Sequence, residues 1–202
     1  MMFLYRILDS PFVYSAAQKI LSVGGQINLR GRLETIVKQL SDTESLLDVG
    51  CGPASFLEDI GLKPLGIDIS ENYVKAYKEN GGEAVVGSAD SLPFDSDTFN
   101  SVWSMGVLHH LPEDMALNTV KEMCRVCVPG GLVVIIDNVW PEPTWSRPLA
   151  WLIRRLDRGE FVRNQDVLTK NIIEKEISGW DIERLVYTTT GLEAIIAVYK
   201  KP

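Results

Sequence analysis

The feature that most constrains the fold is the alternation of short apolar segments with helical segments between residues 45 and 138. Five apolar segments of five or six residues are predicted as strands, mostly too continuously apolar for a sheet with one face in water. They are LLDVG (46–50), PLGID (64–68), EAVVG (83–87), NSVWS (100–104) and LVVIID (132–137). Helices are predicted between them at 53–60, 71–79 and 113–127. A βαβαβ order predicts a doubly wound α/β sheet.

Both ends of the chain depart from this alternation. Residues 10–40 are predicted to form two helices broken at a pair of glycines. Residues 181–189 and 193–200 are predicted as two strands joined by a Thr-Gly turn, which makes a C-terminal β-hairpin. Residues 140–163 follow neither pattern, and we interpret them as an excursion above the sheet.

The composition limits the classes of function. With 202 residues, 46% hydrophobic and 23% charged, the chain has the profile of one soluble globular domain. The net charge of −7 lacks the basic surplus of a phosphate-tracking protein, so no nucleic-acid partner is expected. No apolar run reaches the ~20 residues of a membrane span, and no secretory signal is indicated. The odd set Cys51, Cys124 and Cys127 does not suggest a disulfide framework, so a cytoplasmic location is expected.

Two loops after predicted strands indicate a nucleotide-like ligand, because open α/β sheets bind ligands at the carboxyl ends of their strands. The first, DVGCGPA at 48–54, places small residues where a ligand approaches the backbone and exposes N–H groups at a helix start. The second ends at Asp68, 18 residues after Gly50, where a carboxylate can accept hydrogen bonds from ribose hydroxyls. A tight turn and a helix cap are the alternatives, although Ser70 is the better placed cap. Together the loops predict a nucleoside-containing cofactor.

The spacing of small residues does not match a dinucleotide site, since the sixth position of GxGxxG is Ser55. Five segments follow one another in order: LLDVGCGPASFLE, GIDIS, GSADSLPF, DTFNSVWSMGVLHHLP and CRVCVPGGLVVIID. Together they resemble the class I S-adenosylmethionine-dependent methyltransferases, and specifically the small-molecule group that includes the quinone-biosynthesis enzymes. The resemblance covers 46–136 densely and the remainder weakly. The chain departs from the family pattern at Ala54, which replaces a third glycine, and at Asn100, which replaces an aspartate.

The resemblance implies S-adenosylmethionine as cofactor, S-adenosylhomocysteine as product, and a role for each matching position. Asp48 would hold the α-amino end of the methionine and Asp68 the ribose, with Ile69 as the apolar face against the base. The backbone of Gly50, Cys51 and Gly52 would line the methionine. Asp90, with Ala89 and Ser91 beside it, would accept from the adenine amine, while Ser104, Met105 and Gly106 would pass under the methionine and sulfonium.

For the whole chain the resemblance implies one domain over 1–202 with a three-layer α/β/α, Rossmann-like sandwich. Its seven-stranded sheet is mostly parallel with an antiparallel last strand. We divide it into N-terminal helices as a cap (1–44), a cofactor-binding core (45–138), a substrate lid (139–165), and a last helix with the C-terminal hairpin (166–202).

The catalytic candidates are the only two histidines, His109 and His110, on the loop where a substrate would enter. We favour His110 as the one facing the cleft, and Asp137 is a further candidate base. A base is dispensable when the acceptor is already a carbanion, thiolate or free amine. No metal is expected: Cys124 and Cys127 lack a second ligand pair, and Asp137-Asn138 lacks the earlier acid of a magnesium site.

The expected acceptor is a small, largely hydrophobic molecule, because the chain has neither a [DN]PP[YFW] motif after the fourth strand nor a Pro-Cys dipeptide. Residues 140–163 support this, with three of the five tryptophans and a local charge of +2 in a chain of −7. The acceptor could also carry an acid group or be presented at a membrane surface. The alternative interpretation is that the segment 140–163 only packs on the sheet as part of the core. The oligomeric state is not indicated. A cofactor-binding regulatory module and a nicotinamide-dependent dehydrogenase are the alternative functions.

Overall fold

The apolar runs form the strands of a single sheet in the structure, a computed structural model that describes residues 26–40, 45–143, 147–155 and 159–202. The strands are β1 (Leu46–Val49), β2 (Leu65–Asp68), β3 (Glu83–Val86), β4 (Phe99–Met105), β5 (Cys127–Val139), β6 (Asp181–Val186) and β7 (Glu193–Lys200). They are ordered β3-β2-β1-β4-β5-β7-β6. Strand β7 runs antiparallel to both of its neighbours, and the other pairings are parallel. The predicted seven-stranded sheet with an antiparallel last strand is confirmed.

The helices are α1 (Gln26–Val37), α2 (Phe56–Asp59), α3 (Glu71–Glu79), α4 (Glu113–Val126), α5 (Pro148–Arg155) and α6 (Gln165–Leu168). A 3-10 turn (Leu108–His110) precedes α4, and a π-helical turn (Thr169–Ile173) follows α6. Serine side chains start two of the helices, since Ser55 accepts from Leu57 N and Ser70 accepts from Tyr73 N. The predicted helix at 53–60 is therefore shorter, because Ser55 is its cap.

The two sheet faces bury separate apolar clusters, because neighbouring residues of a strand point to opposite faces. On one face Leu46, Trp103 and Val134 pack with Leu33 of α1 and Leu57 of α2. On the other face, Leu47, Val102 and Val133 of the same strands pack with residues of α4 and of the π-helical turn. Helices thus cover both faces, as the three-layer sandwich requires.

Strand β5 is much longer than the predicted segment 132–137. It begins at Cys127, which pairs with Phe99, and an irregularity in register follows before Ser101 pairs with Leu132. The Pro-Gly-Gly sequence at 129–131, which reads as a turn, lies within this strand. A Cβ on Gly131 would lie 2.7 Å from the backbone oxygen of Asn100, so the two strands approach too closely there for a side chain.

Part of the predicted N-terminal cap lies outside the described residues: of the helices expected at 10–40, the structure describes α1 and the residues after it. Trp145, one of the three tryptophans in the segment 140–163, also lies outside the described residues. None of the helices in the described ranges combines the length and apolar content needed to cross a bilayer.

Candidate active site

The loop after β1 is shaped by two glycines with positive φ. Gly50 (φ +74°) donates its N–H to Ile67 O at 2.7 Å, and a Cβ there would lie 2.3 Å from Val107 Cγ2. Gly52 (φ +62°) has no heavy atom within 4 Å of the position a Cβ would take. The Gly50 backbone is therefore packed against the loop after β4, whereas Gly52 borders open space where a ligand can approach the backbone.

Asp68 connects this loop to the start of α3. Its two carboxylate oxygens accept hydrogen bonds from Gly52 N at 3.0 Å and Ser70 N at 2.9 Å. Burial raises the pKa of the Asp68 carboxyl, and the two backbone N–H groups act against that rise. Each oxygen retains a second lone pair. The carboxylate is thus held rigidly and can still accept from a ribose.

Asp48 lies deeper, at 4% exposure on β1, and accepts a hydrogen bond from Ser55 Oγ at 2.5 Å. Burial raises the pKa of Asp48 to about 6, the Ser55 hydroxyl opposes this, and the neighbouring Asp68 adds to it. An acid in this environment favours a cationic ligand that stabilises its ionised form.

The loop after β3 supplies the third carboxylate. Asp90 accepts a short hydrogen bond from Ser88 Oγ, and Gly87 N donates to Asp68 O at 3.0 Å. Ile69 is 72% exposed, which is unusual for a large apolar side chain. Ala89 is half-buried and Ser91 is exposed. The arrangement brings an acceptor oxygen and an apolar surface near the ribose-binding candidate, as an adenine site requires.

The loop after β4 faces the first loop. Ser104 is 1% exposed, and in the described part of the chain its hydroxyl has no hydrogen-bond partner. Met105 is half-buried, and Gly106 has a positive φ of +72° and donates to Ile136 O at 2.8 Å. A buried hydroxyl without a partner is costly unless a ligand supplies one. These residues fit a cofactor that lies across β1 and β4.

The two histidines have different surroundings. His109 is buried, with Nδ1 2.6 Å from Asp137 Oδ1 and Nε2 3.4 Å from Asn138 Nδ2. His110 is exposed, with its ring centroid 4.1 Å from that of His109. The structure thus places one histidine in the protein interior and the other at the surface of the same turn.

The Asp137-Asn138 pair is committed to protein contacts. Besides His109, Asp137 accepts from Leu108 N at 2.5 Å and from Asn138 N at 2.6 Å. Asn138 Oδ1 accepts from Tyr187 OH at 2.9 Å. Cys124 and Cys127 are both buried free thiols. In the described ranges no group of three acidic, histidine or cysteine side chains is arranged to hold a metal ion.

Sequence reasoning missed several residues around this site. Arg163 donates to the carbonyl oxygens of Leu108 at 2.8 Å and Leu111 at 2.7 Å. Burial lowers the pKa of the Arg163 guanidinium, and the nearby Asp137 carboxylate opposes this shift. Gly159 packs against His109. The sequence carried no signal for these contacts beyond the arginine content of 140–163.

A second missed feature is Glu193, which is 2% exposed at the start of β7. Its carboxylate pairs with Arg147, before α5, and with Arg184 of β6, and it accepts from Glu142 N at 3.0 Å. The Glu193 carbonyl oxygen accepts from Arg154 Nη2 at 3.1 Å. Glu193 therefore attaches the segment after β5 to the far half of the sheet.

The comparisons with known proteins agree with this geometry. A family profile described as "Methyltransferase domain" matches residues 47–135. A tRNA (carboxymethyluridine(34)-5-O)-methyltransferase of Arabidopsis thaliana is 33% identical over 114 residues, covering 54% of this chain and 27% of the relative. A demethylmenaquinone methyltransferase of Listeria welshimeri is 31% identical over 137 residues, covering 60% of this chain and 57% of the relative. The chain thus spans between about a quarter and three fifths of the length of these relatives.

Solved structures share the fold over most of the chain. A SAM-dependent methyltransferase of Methanosarcina mazei has a TM-score of 0.63 at 19% identity, covering 82% of this chain and 96% of that one. A chain in the complex between the Haloferax volcanii Trm112 methyltransferase activator and a methyltransferase has a TM-score of 0.67 at 16% identity, covering 96% and 97%. Residues 47–135 therefore match a methyltransferase domain, and the chain has the fold of these solved structures.

These relatives correct one expectation. The exclusion of nucleic-acid partners is wrong, because relatives from Arabidopsis thaliana and Homo sapiens that match the chain over about half its length are named as tRNA methyltransferases. The physical reason is that a net charge of −7 sums the whole chain. It says nothing of a local surface such as the one at Arg155, which is exposed, whereas Arg147 and Arg154 of the same segment contact Glu193.

Proposed function

We propose that the protein transfers the methyl group of S-adenosylmethionine to an acceptor bound at the carboxyl edge of the sheet. One observation carries the proposal: Asp68 holds the Gly52 backbone beside open space, within a methyltransferase domain over 47–135. The residues fit the cofactor. Asp68 would bind the ribose, and Asp90 and Ile69 would bind the adenine. The Asp48 carboxylate would bind the cationic amino end of the methionine, as the sequence predicts.

When bound, the cofactor supplies an electrophilic methyl group on a sulfonium. The chain's own part in such a displacement is to align the two partners, exclude water and remove a proton where the acceptor has one. Ser104 and the Gly106 backbone lie where the donor would be aligned. His110 is the histidine on the exposed side of the turn, and we propose it as the proton acceptor where one is needed.

We propose a small, largely apolar acceptor. Helix α5, which follows β5, exposes Leu149 (54%) and Leu152 (48%). Beside them Trp151 lies with its ring centroid 6.3 Å from that of Trp140. Apolar and aromatic walls are typical of small-molecule sites. The demethylmenaquinone methyltransferase of Listeria welshimeri is a relative whose name gives an acceptor of this kind.

A tRNA acceptor is the second candidate, favoured by the tRNA methyltransferase relatives. The guanidinium of Arg155 lies 5.2 Å from the ring centroid of Trp151, and Arg155 is exposed. Arginine and tryptophan together are able to stack on an unpaired base.

Calorimetric titration tests the cofactor. We expect S-adenosylmethionine and S-adenosylhomocysteine to bind and NAD not to bind. The Asp68→Ala variant should bind them more weakly by about 1 to 3 kcal/mol, because the ribose hydroxyls lose their acceptor. Asp95→Ala, which removes an exposed carboxylate on the loop before β4, is the matched control and should bind normally. Binding of NAD alone, or unchanged affinity in Asp68→Ala, would contradict the assignment.

Methyl-labelled cofactor identifies the acceptor. Transfer of label to quinols or other apolar phenols, and not to bulk tRNA, supports the small-molecule proposal. Label on tRNA alone contradicts it and supports the second candidate. Cofactor binding with no transfer to either class would favour a regulatory module.

A further inference from the structure

We propose that His109 and Arg163 are positioning residues that fix the loop 106–111 through two separate sets of contacts, which we call the clamp, with His109 held in a single ring tautomer and taking no part in proton transfer. The proposal rests on the proposed function, because that loop would border the methyl donor. It assigns a purpose to part of the segment 139–165, which the sequence predicts as a lid.

From the sheet side, Asp137 of β5 holds the loop at two points. One carboxylate oxygen accepts from Leu108 N at 2.5 Å, and the other lies 2.6 Å from His109 Nδ1. Asp137 is 1% exposed and His109 is 4% exposed, so no solvent competes for these bonds. Backbone and side chain of the turn are therefore fixed to the same carboxylate.

A chain of hydrogen bonds sets the tautomer of His109. Arg154 Nη2 can only donate, and it lies 3.2 Å from Tyr187 OH, so the phenol hydrogen points to Asn138 Oδ1 at 2.9 Å. The Asn138 amide then turns its Nδ2 toward His109 Nε2, at 3.4 Å. Nε2 therefore accepts, and the ring proton lies on Nδ1, where Asp137 accepts it. Both ring nitrogens are hydrogen-bonded to protein groups, so neither is available to the substrate that accepts the methyl group.

The second set of contacts comes from residues 159–163, which contact the turn and which we call the strap. Phe161 N donates to His109 O at 3.0 Å, and Arg163 donates to the carbonyls of Leu108 and Leu111. A Cβ on Gly159 would lie 2.2 Å from His109 Cδ2 and 2.9 Å from His109 O. The strap is itself attached to β5, since Trp140 N donates to Arg163 O at 3.2 Å.

The clamp connects to the cofactor loop through Val107. This residue lies between Gly106 and the clamped turn, and its side chain fills the space where Gly50 lacks a Cβ. A displacement of the turn would move Val107 away from the Gly50 backbone. Loss of the clamp should therefore weaken binding of the cofactor product as well as turnover.

The first experiment measures the tautomer in the 202-residue chain labelled with ¹⁵N-histidine, which contains two histidines. At pH 8 one ring should show a protonated Nδ1 and an unprotonated Nε2. The signal should persist in His110→Gln, which assigns it to His109, and should change to a mixture of tautomers in Tyr187→Phe. An Nε2-protonated or mixed tautomer for His109 in the wild-type protein would overturn the proposal. This readout does not depend on methyl transfer.

The second experiment measures S-adenosylhomocysteine affinity by calorimetry in Arg163→Ala and Arg163→Lys. We expect about a tenfold rise in Kd for Arg163→Ala and no rescue by lysine, because a single ammonium cannot reach both carbonyls as the guanidinium fork does. Arg30→Ala, which removes an exposed arginine of α1, is the matched control and should bind within about twofold of wild type.

The outcomes separate the two proposals. If the wild-type protein binds no S-adenosylhomocysteine, the proposed function fails, while the tautomer still tests the clamp. If the wild-type protein binds and Arg163→Ala binds equally well, the clamp has no effect on the site and the positioning role is wrong. Thermal unfolding of each variant, measured alongside, confirms that the titrated protein is folded.

Discussion

At the scale of single residues, Asp48 shows how burial determines chemistry. Its carboxyl is almost inaccessible, and burial raises its pKa to about 6 although Ser55 donates a hydrogen bond to it. The folded state keeps the proton between pH about 4 and 6, where the unfolded chain has already lost it. The stability of the protein should therefore fall as pH rises through this range and stay at the lower level above it. Such a cost is acceptable where the ionised acid serves binding.

The Asp48→Asn variant tests this trade of stability for binding. At pH 7.5 its free energy of unfolding should exceed that of wild type by about 1 to 3 kcal/mol, since two pKa units correspond to roughly that amount. The difference should shrink toward pH 4.5, which urea denaturation at both pH values measures. Affinity for S-adenosylhomocysteine should fall about tenfold at pH 7.5 and less at pH 5.5, where Asp48 of the wild type is largely protonated. A variant no more stable than wild type at pH 7.5 would show that burial does not perturb this acid. Asp95→Asn is the control.

At the scale of elements, helix α4 is completed by a residue from the far end of the chain. Lys201 donates from its ammonium to the carbonyl oxygens of Cys124 at 3.0 Å and Cys127 at 2.8 Å, and it pairs with Asp97 at 2.7 Å. These carbonyls lie at the C-terminal end of α4, where the helix dipole favours a cation.

Lys201→Met keeps the length of the side chain and removes this cap. We expect a loss of about 1 to 2 kcal/mol in the free energy of unfolding, because the helix carbonyls lose a charged donor. Lys200→Met, at the exposed neighbouring position, should change stability by less than about 0.5 kcal/mol. Equal effects of both substitutions in urea denaturation would show that the cap contributes nothing.

Helix α5 carries the prediction about the acceptor. Trp151 packs on Trp140 and has the Arg155 guanidinium over its ring. Once the labelling screen has identified an acceptor, Trp151→Ala should raise the KM of that acceptor about tenfold or more, because its binding site loses an aromatic wall. The KM of S-adenosylmethionine should change by less than about twofold. Equal changes in both KM values, or unfolding of the variant, would assign the tryptophan to the core instead.

At the scale of the whole molecule, Glu193 joins parts that are distant in sequence. Its side chain pairs with Arg147 and Arg184, and its backbone oxygen accepts from Arg154. The segment after β5, helix α5 and strands β6 and β7 thus meet at one buried acid. Removing the charge of Glu193 would leave the guanidinium groups of Arg147 and Arg184 without their counter-ion in a largely buried site.

Glu193→Gln should lower the free energy of unfolding by about 2 to 3 kcal/mol, less than for a fully buried pair because both guanidinium groups keep some contact with water. The control is Glu183→Gln on the neighbouring strand, whose pair with Arg32 is more exposed and should be worth less than about 1 kcal/mol. Thermal or urea unfolding of both variants measures the contrast. A loss in Glu193→Gln no larger than in the control would mean that the cluster is not an anchor.

The sequence alone determined the features that depend on local pattern. Continuous apolar runs predict buried strands. The starts of β1, β3, β6 and β7 coincide with the prediction, and those of β2 and β4 lie one residue from it. Ser70 begins α3 as predicted, because capping depends on residues three positions apart. The roles of the cofactor residues stay predictions. Gly50, Gly52, Asp68 and Ser104 lie at the carboxyl ends of the adjacent strands β2, β1 and β4.

The tertiary structure alone decided the surroundings of the histidines, because these depend on contacts across long stretches of sequence. Arg163 reaches Leu108 over 55 positions, and Tyr187 reaches Asn138 over 49. No periodicity encodes such pairs, so the sequence could not show which groups would surround His109. The same holds for β5, whose predicted segment 132–137 leaves out the Pro-Gly-Gly that lies within the strand. There Gly130 N donates to Lys201 O at 2.8 Å and Lys201 N donates to Gly131 O at 3.0 Å. The missing side chain of Gly131 leaves room for the backbone of β4 at Asn100.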